Sequence, residues 1–419
     1  MANSDRIRFA TFFPGTFFPG SDIHLLKDVG MIPYILHREY GYDVWLIAYP
    51  PAKDTVLKNA PEGLNMLWIW KGPGFHAMKL LKKILKYDSS AYLAAEALCV
   101  MVDAFPVMLR HGRRFDVLQL YHFKPESMLA AFVFRLFNRR GLVYMKLDMD
   151  PNIINVYRDD PGKKDTIGLK ISRYLFKRLP INIFSVESKR VYEFMRADHP
   201  LFKDFSDRVI YIPNGVDVKG IPAQSGGEKE NIVLHAGRAC NPQKRTGVIL
   251  EAFARVAKDF PDWKLALVGP MDTRYKGRFD DFMRQHKSLN GRIDNVGFLE
   301  DRKDVFGWYR RAKILAIPSA FESFGLVVVE AQLFGDIVLG SDIPAVRELT
   351  DNGEFSYLCP VDDVDCFEKK LRYMMSHEEE LVSKAKPASA FIRRNFDWTA
   401  ICGDLHRKIS EGLKCEKRS

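Results

Sequence analysis

Two Rossmann-like α/β domains facing each other across a cleft are the fold class this sequence predicts, on three observations. The 419 residues are too many for one ordinary core, so two domains of roughly 200 residues each are expected. Apolar, β-branched or aromatic runs alternate with longer helix-compatible segments, as in a parallel sheet with helices on both faces. The alternation restarts after a polar stretch, residues 218–231, whose Pro222, Ser225, Gly226 and Gly227 mark a linker.

In the first half the strand-like runs fall at residues 7–13, 42–49, 66–70, 115–121, 142–147, 181–186 and 209–212. The second half has strands at 232–235, 265–268, 314–317 and 337–339, with helices near 246–260 and 301–311. Domains at 1–220 and 221–390 follow. After the first run, Thr11-Phe12-Phe13-Pro14-Gly15 is repeated as Thr16-Phe17-Phe18-Pro19-Gly20, either a glycine-containing loop at the mouth of the first domain or a duplicated turn. Neither copy makes GxGxxG, so a nicotinamide or flavin fingerprint is absent.

The net charge of +10 is unevenly spread: residues 1–220 carry 32 Lys and Arg against 23 Asp and Glu, the remainder 31 against 30. The first half therefore faces something anionic. The six cysteines are scattered without a CxxC pair or a metal-ligand spacing, which predicts reduced thiols in a cytoplasmic protein and no zinc site. Residues 1–6 lack the basic-then-apolar order of a secretory leader. The longest apolar stretch, 91–109, is interrupted by Glu96, Asp103 and Pro106 and makes a poor transmembrane segment.

The stretch Phe321-Glu322-Ser323-Phe324-Gly325-Leu326-Val327-Val328-Val329-Glu330 is the best clue to function: two carboxylates, seven residues between them, across a loop-to-helix junction. Residues 314–317 predict a buried strand, Pro318 and Ser319 break it, and 324–334 predict a buried helix. Glu322 then lies outside the strand's carboxyl end, where open α/β sheets place ligands. The N–H groups of residues 324–326 are the unpaired donors of a helix N-terminus and favour an anion, phosphate especially. Glu330, inside the helix, needs hydrogen-bond donors, and vicinal sugar hydroxyls would serve.

Four segments in register resemble the retaining glycosyltransferases of family 4, which have the two-domain GT-B fold. They are Val209-Ile210-Tyr211-Ile212-Pro213-Asn214-Gly215-Val216-Asp217; His235-Ala236-Gly237-Arg238 with Gln243-Lys244-Arg245; the double-glutamate stretch; and Gly335-Asp336-Ile337-Val338-Leu339-Gly340-Ser341-Asp342 to Glu348. The resemblance implies a nucleotide-diphosphate sugar as donor, its diphosphate held by Arg238 and Lys244 with the N–H groups of Ser323, Phe324, Gly325 and Leu326. It implies that Glu330 holds the ribose hydroxyls, that Glu322 reaches the donor sugar, and that Gly297 and Phe298 lie by the base. It further implies catalysis without metal or cofactor, by electrostatic stabilisation of the departing phosphate.

In the first half the resemblance places Tyr121 or His122 near the sugar, with His122 preferred. Gly20 is the counterpart of the family's glycine-pair loop. Lys146-Leu147-Asp148 departs from the His-Asp pair of many relatives. In that family the last helix crosses back onto the first domain, here residues 391–419 with a hinge near Ala390.

Residues 77–87 gather Ala77, Met78, Leu80, Leu81, Ile84 and Leu85 on one side of a helix and Lys79, Lys82, Lys83 and Lys86 on the other. This amphipathic basic helix either packs on its own domain or binds anionic lipid headgroups, which suits a membrane-lipid acceptor and a peripheral site on the inner face of the cell membrane. Asp148-Met149-Asp150 is a strand end rather than a metal motif, and Asp362, Asp363 and Asp365 are a solvated loop. Together the chain is expected to transfer a sugar to a glycan or lipid-linked glycan acceptor in surface polysaccharide synthesis. A sugar-nucleotide epimerase is the runner-up. A basic nucleic-acid-binding protein is disfavoured, because no helix-turn-helix, zinc or RNA-platform signature is present and no nucleic-acid partner is expected.

Overall fold

The computed structural model describes residues 6–16, 21–52, 55–84, 90–149, 178, 180–197, 203–221, 228–272, 274 and 276–418. Gly20, Lys86, Asp150 and the centre of the linker fall outside these, as does the side chain of Lys82. The chain divides into two compact units, residues 1–214 with 398–419, and residues 215–397.

Unit 1 contains β1 (Arg8–Thr16), α1 (Asp28–Tyr40), β2 (Asp43–Tyr49), β3 (Leu64–Trp68), α2 (Pro73–Ile84), α3 (Ser90–His111), β4 (Val117–Tyr121), α4 (Pro125–Phe137), β5 (Leu142–Leu147), β6 (Ile183–Val186), α5 (Lys189–Arg196) and β7 (Val209–Tyr211). Its seven strands run in the order β3-β2-β1-β4-β5-β6-β7, every pair parallel. Strands β4, β5 and β6 are buried along their whole length, so they are near-continuous apolar runs rather than alternating ones. Pro125 starts α4 where no N–H is needed, and Gly41 ends α1 in the left-handed conformation, φ 67°.

Unit 2 contains β8 (Ile232–Ala236), α6 (Thr246–Val256), β9 (Lys264–Val268), α7 (Lys276–Gln285), β10 (Ile293–Gly297), α8 (Arg302–Arg311), β11 (Ile314–Ile317), α9 (Leu326–Leu333), β12 (Ile337–Ser341), α10 (Pro344–Leu349), β13 (Ser356–Cys359), α11 (Val364–Ser376) and α12 (Glu378–Asn395). The sheet order is β10-β9-β8-β11-β12-β13, again all parallel. Both units are therefore Rossmann-like, as expected.

Three expectations are corrected. The division falls after Asn214, six residues before the expected boundary, because Val216 bridges to Asp397 and joins the unit 2 core. The helix running through Ala390 continues to Asn395, so the break lies at Phe396-Asp397 rather than near Ala390. The final helix α13 (Trp398–Arg418) belongs to unit 1, where His406 stacks on Tyr40 at 4.1 Å and Trp398 is buried. Cys359 and Cys366 are joined as a disulfide rather than being thiols. A short turn between β13 and α11 brings their Cα atoms to 5.7 Å, within bridging range. Asp362 and Asp365 are solvent-exposed, as expected, and pair at the surface with Arg245 and Arg255, while Asp363 caps α11 through the Cys366 N–H at 2.9 Å.

Candidate functional site

In unit 2 the first strand, β8, lies beside the fourth, β11. The chain leaves this pair in opposite directions, and such a switch point opens a crevice at the carboxyl ends of the strands. Three glycines shape that edge. Gly237, Gly269 and Gly297 follow or end β8, β9 and β10 with φ of 131°, 134° and 77°. The Gly237 N–H donates to the Val268 carbonyl and the Gly269 N–H to the Gly297 carbonyl, both at 2.8 Å. A Cβ on Gly269 would stand 2.0 Å from the Gly237 oxygen, so only glycine fits.

The loop after β8 is anchored from beneath by His235, which is almost fully buried. Its Nδ1 lies 3.0 Å from the Ala316 carbonyl, an acceptor only, so Nδ1 carries the proton and Nε2 accepts from the Thr246 hydroxyl at 3.2 Å. The Thr246 oxygen in turn accepts from the Cys240 N–H at 2.9 Å. Burial, more than any neighbouring charge, pulls the His235 pKa down to about 4.

Above this anchor the loops after β8 and β11 are tied together. The Ala320 N–H donates to the Gln243 carbonyl at 2.8 Å, and the Gln243 amide to the Phe321 carbonyl at 3.0 Å. Lys244 Nζ donates to Glu322 Oε1 at 2.6 Å, and the Ser319 hydroxyl donates to the same oxygen at 2.6 Å. Arg238 is exposed on the same loop. Gly325 enters α9 with φ 97°, and no side chain caps the helix. The Val328 N–H turns back to the Gly325 carbonyl at 2.8 Å, and the amide protons before it are those that a helix N-terminus offers to outside acceptors. The Phe324 side chain turns inward, edge-on to Phe396 at 5.9 Å, so only its backbone faces the edge.

Glu330, one turn further along α9, is buried. Sugar hydroxyls were expected as its donors, but the unit supplies two of its own. The Tyr309 hydroxyl donates to Oε2 at 3.0 Å, and Arg302 forms an ion pair with Oε1. Burial raises the Tyr309 pKa and lowers that of Arg302. Arg302 begins α8 immediately after the loop carrying Gly297 and exposed Phe298, and Asp301 caps that helix through the Lys303 N–H at 2.8 Å. The loop by the expected base position and the expected ribose ligand are thus joined through one guanidinium. Arg302 and Tyr309 were not identified in the sequence analysis.

Unit 1 has a cavity of about 710 Å³ at its own switch point, β1 beside β4. Phe12, Phe75 and Met78 give it apolar walls, and Lys71, Lys79, Lys124, Tyr121 and His122 line it as well. His122 follows β4 in the left-handed conformation, φ 57°, and its N–H donates to the Lys146 carbonyl at 2.9 Å. Burial lowers its pKa. The Tyr121 hydroxyl accepts from Gln119 Nε2 at 2.9 Å and is held within the core.

Below them Lys146, fully buried, lies 3.9 Å from both Asp28 and Glu187 and donates to the Ile212 carbonyl at 3.0 Å. Burial raises the pKa of both acids against the pull of that ammonium. Asn214 donates to Glu187 at 2.5 Å. Asp28 and Glu187 also went unnoticed in the sequence analysis.

The basic helix differs in part from its expected form. Lys79 and Lys83, one turn apart, are both exposed as expected, and Lys79 also borders the cavity with its ammonium 4.9 Å from the Phe75 ring. Leu80 and Ile84, expected on the packed side, are exposed.

Residues 219–390 match the family model described as glycosyl transferases group 1. Phosphatidyl-myo-inositol mannosyltransferase of Mycolicibacterium smegmatis is 30% identical over 203 residues, 47% of this chain and 50% of that protein. Lipopolysaccharide core biosynthesis mannosyltransferase LpcC of Rhizobium leguminosarum bv. viciae is 24% identical over 225 residues, 54% of this chain and 62% of that protein. The chain spans about half the length of the first of these relatives. Among solved structures, sucrose-phosphate synthase from Thermosynechococcus elongatus superposes with a TM-score of 0.67 at 17% identity, covering 97% of this chain and all of that one. The two parallel-sheet α/β units are those of the GT-B fold.

Proposed function

We propose that this chain is a metal-independent, retaining glycosyltransferase that moves a sugar from a nucleotide-diphosphate sugar to a glycan or lipid-linked acceptor. The observation that carries the reading is the edge of unit 2. There the Lys244–Glu322 pair at 2.6 Å, exposed Arg238 and the uncapped start of α9 surround one switch point. Cations and helix-terminal N–H groups together suit a diphosphate. Mannosyltransferase relatives that match 47% and 54% of the chain favour the same chemistry.

In this reading Arg238, Lys244 and the N–H groups of residues 323–326 hold the diphosphate, while Glu330, fixed by Arg302 and Tyr309, takes the ribose and Gly297 and Phe298 flank the base. The acceptor hydroxyl oxygen attacks the anomeric carbon on the face from which the diphosphate departs. The bond to the phosphate oxygen breaks with its electron pair going to that oxygen, which also receives the hydroxyl proton. The cations stabilise the charge developing there, so no metal is required. Glu322, partly neutralised by Lys244, offsets positive charge growing on the sugar.

The acceptor occupies the unit 1 cavity beside His122. Lys71, Lys79 and Lys124 outnumber Glu96 and Glu126 in a lining that includes Phe12, Phe75 and Met78, which suits an amphiphile with an anionic headgroup, in keeping with assembly of lipid-linked or surface glycans at the cytoplasmic face of a membrane.

A thermal-shift screen against UDP, GDP, ADP and their sugars tests the donor site, because a ligand that binds only the folded chain raises its stability. Arg238→Ala and Lys244→Ala should each abolish transfer with the fold intact, and Glu330→Ala should abolish it with some loss of stability, because Arg302 is left unpaired. Near-normal turnover in all three rejects the assignment, as does loss of turnover on chelation of divalent metal for the metal-free part.

A further inference from the structure

The outer surface of unit 1 carries an apolar face that its own fold does not cover. On α3, Leu98, Val102, Phe105 and Leu109 are exposed, Leu98 to 62%. Their spacing of four, three and four residues makes one continuous stripe along the helix. The neighbouring α4 exposes Leu129, Phe132 and Leu136, the last to 69%, again spaced as one stripe. Phe105 and Phe137 join the two helices edge-on at 5.6 Å. Monomeric soluble proteins rarely expose contiguous apolar surface on this scale without a partner.

The acids that interrupt this region in the sequence are not on that face. Asp103 is buried, accepting from the Gly74 and Phe75 N–H groups and the Tyr49 hydroxyl. It fixes the start of α2 and does not break the stripe. Glu96 and Glu126 line the cavity, and Asp116 is bonded to Arg8. No other acid occurs in residues 90–140.

Cations border the face instead. Arg110, Arg113 and Arg114 follow the α3 stripe and Arg139 and Arg140 follow α4, all exposed. The two ends are held together, Arg113 Nε donating to the Phe137 carbonyl at 3.3 Å and Asn138 to the Gly112 carbonyl at 3.1 Å. An apolar stripe with a one-sided guanidinium border matches an anionic bilayer surface, acyl chains against the leucines and phosphates against the arginines.

We propose that the α3–α4 face docks this protein on an anionic lipid bilayer, with the arginine end at the headgroups and the apolar stripes in the acyl boundary. The membrane association belongs to the functional reading above, and this surface carries it. Helix α3 is long and apolar enough by length and composition to cross a membrane. Its opposite side, including Val100, Ala104 and Met108, is buried in the unit 1 core, so it lies along the surface instead.

Vesicle sedimentation tests this with the full chain, without nucleotide, on vesicles of phosphatidylglycerol and phosphatidylcholine in equal parts and on phosphatidylcholine alone. The native chain should sediment with the mixed vesicles and at least ten-fold more weakly with phosphatidylcholine. Leu98→Ser with Val102→Ser and Leu136→Ser should weaken binding at least ten-fold, as should Arg110→Glu with Arg139→Glu and Arg140→Glu. Both variants should keep the native far-UV circular dichroism and the same thermal shift with nucleotide, a readout that fails separately if the donor-site reading is wrong. Lys83→Glu, outside both the cavity and the α3–α4 face, should change binding less than three-fold. Unaltered vesicle binding in the two face variants overturns the proposal, and so does a dimer in light scattering that only the serine variant dissolves while vesicle binding persists.

Discussion

Replacing Arg302 by leucine should destabilise unit 2 and loosen the nucleotide site, and its magnitude can be worked from the structure. Glu330 has 2% of its side chain exposed and is held by Arg302 and Tyr309. Removing one partner of a buried ion pair costs about 3–5 kcal/mol, because an uncompensated charge remains. Two features reduce that figure: Arg302 is 25% exposed, so water can reach the pair, and the Tyr309 hydroxyl still donates. A loss of about 2–3 kcal/mol is therefore expected, which for a unit of this size is roughly 6–9 °C in Tm by scanning calorimetry. Adding Glu330→Gln removes the stranded charge, so Arg302→Leu with Glu330→Gln should melt above Arg302→Leu alone. A single variant within about 1 °C of native, or a double variant that melts below the single, would refute the reasoning.

Three further outcomes follow from the same edge of unit 2. His235 is neutral in the fold with its pKa pulled to about 4. Unfolded histidine titrates near 6.5. Above about pH 6.5 neither state binds the proton, and between about 6.5 and 4 only the unfolded state does, so stability should fall on acidification by up to ~3 kcal/mol and level off below. Urea midpoints measured across that range should show the slope and His235→Gln should flatten it; an unchanged slope contradicts the assignment. Gly325→Ala must adopt φ 97°, at a cost of about 1–2 kcal/mol. The nearest atom to its Cβ is 3.5 Å away, so the loss should come from strain, with weaker nucleotide binding by calorimetric titration. Gly269→Ala, by contrast, drives a Cβ to within 2.0 Å of the Gly237 oxygen and should prevent a native unit 2 from forming, seen as loss of near-UV circular dichroism.

The centre of each sheet was legible because its strands are buried on both faces. Residues 314–317 form an unbroken apolar run and residues 142–147 one interrupted only by Lys146, and they became β11 and β5 with the expected bounds. The strands missed, β10 and β13, lie at the two edges of the unit 2 sheet. Their sequences, Ile-Asp-Asn-Val-Gly and Ser-Tyr-Leu-Cys, mix polar with apolar residues because an edge is only partly covered.

Likewise the double-glutamate stretch was legible as a local pattern, strand then breaker then helix. The partners that orient its second acid were not. Tyr309 lies 21 residues from Glu330 and Arg302 is on a different helix, so their roles exist only in the folded unit. Asp103 shows the same limit from the other side: it interrupts an apolar run in the sequence, but points inward to cap α2 in the structure.

The most direct test is a crystal structure with a bound nucleotide-diphosphate sugar. The account expects diphosphate oxygens within about 3 Å of Arg238, Lys244 and the N–H groups at the start of α9, with the ribose hydroxyls on Glu330. Nucleotide bound away from that edge, with Lys244 and Glu322 untouched, would contradict it.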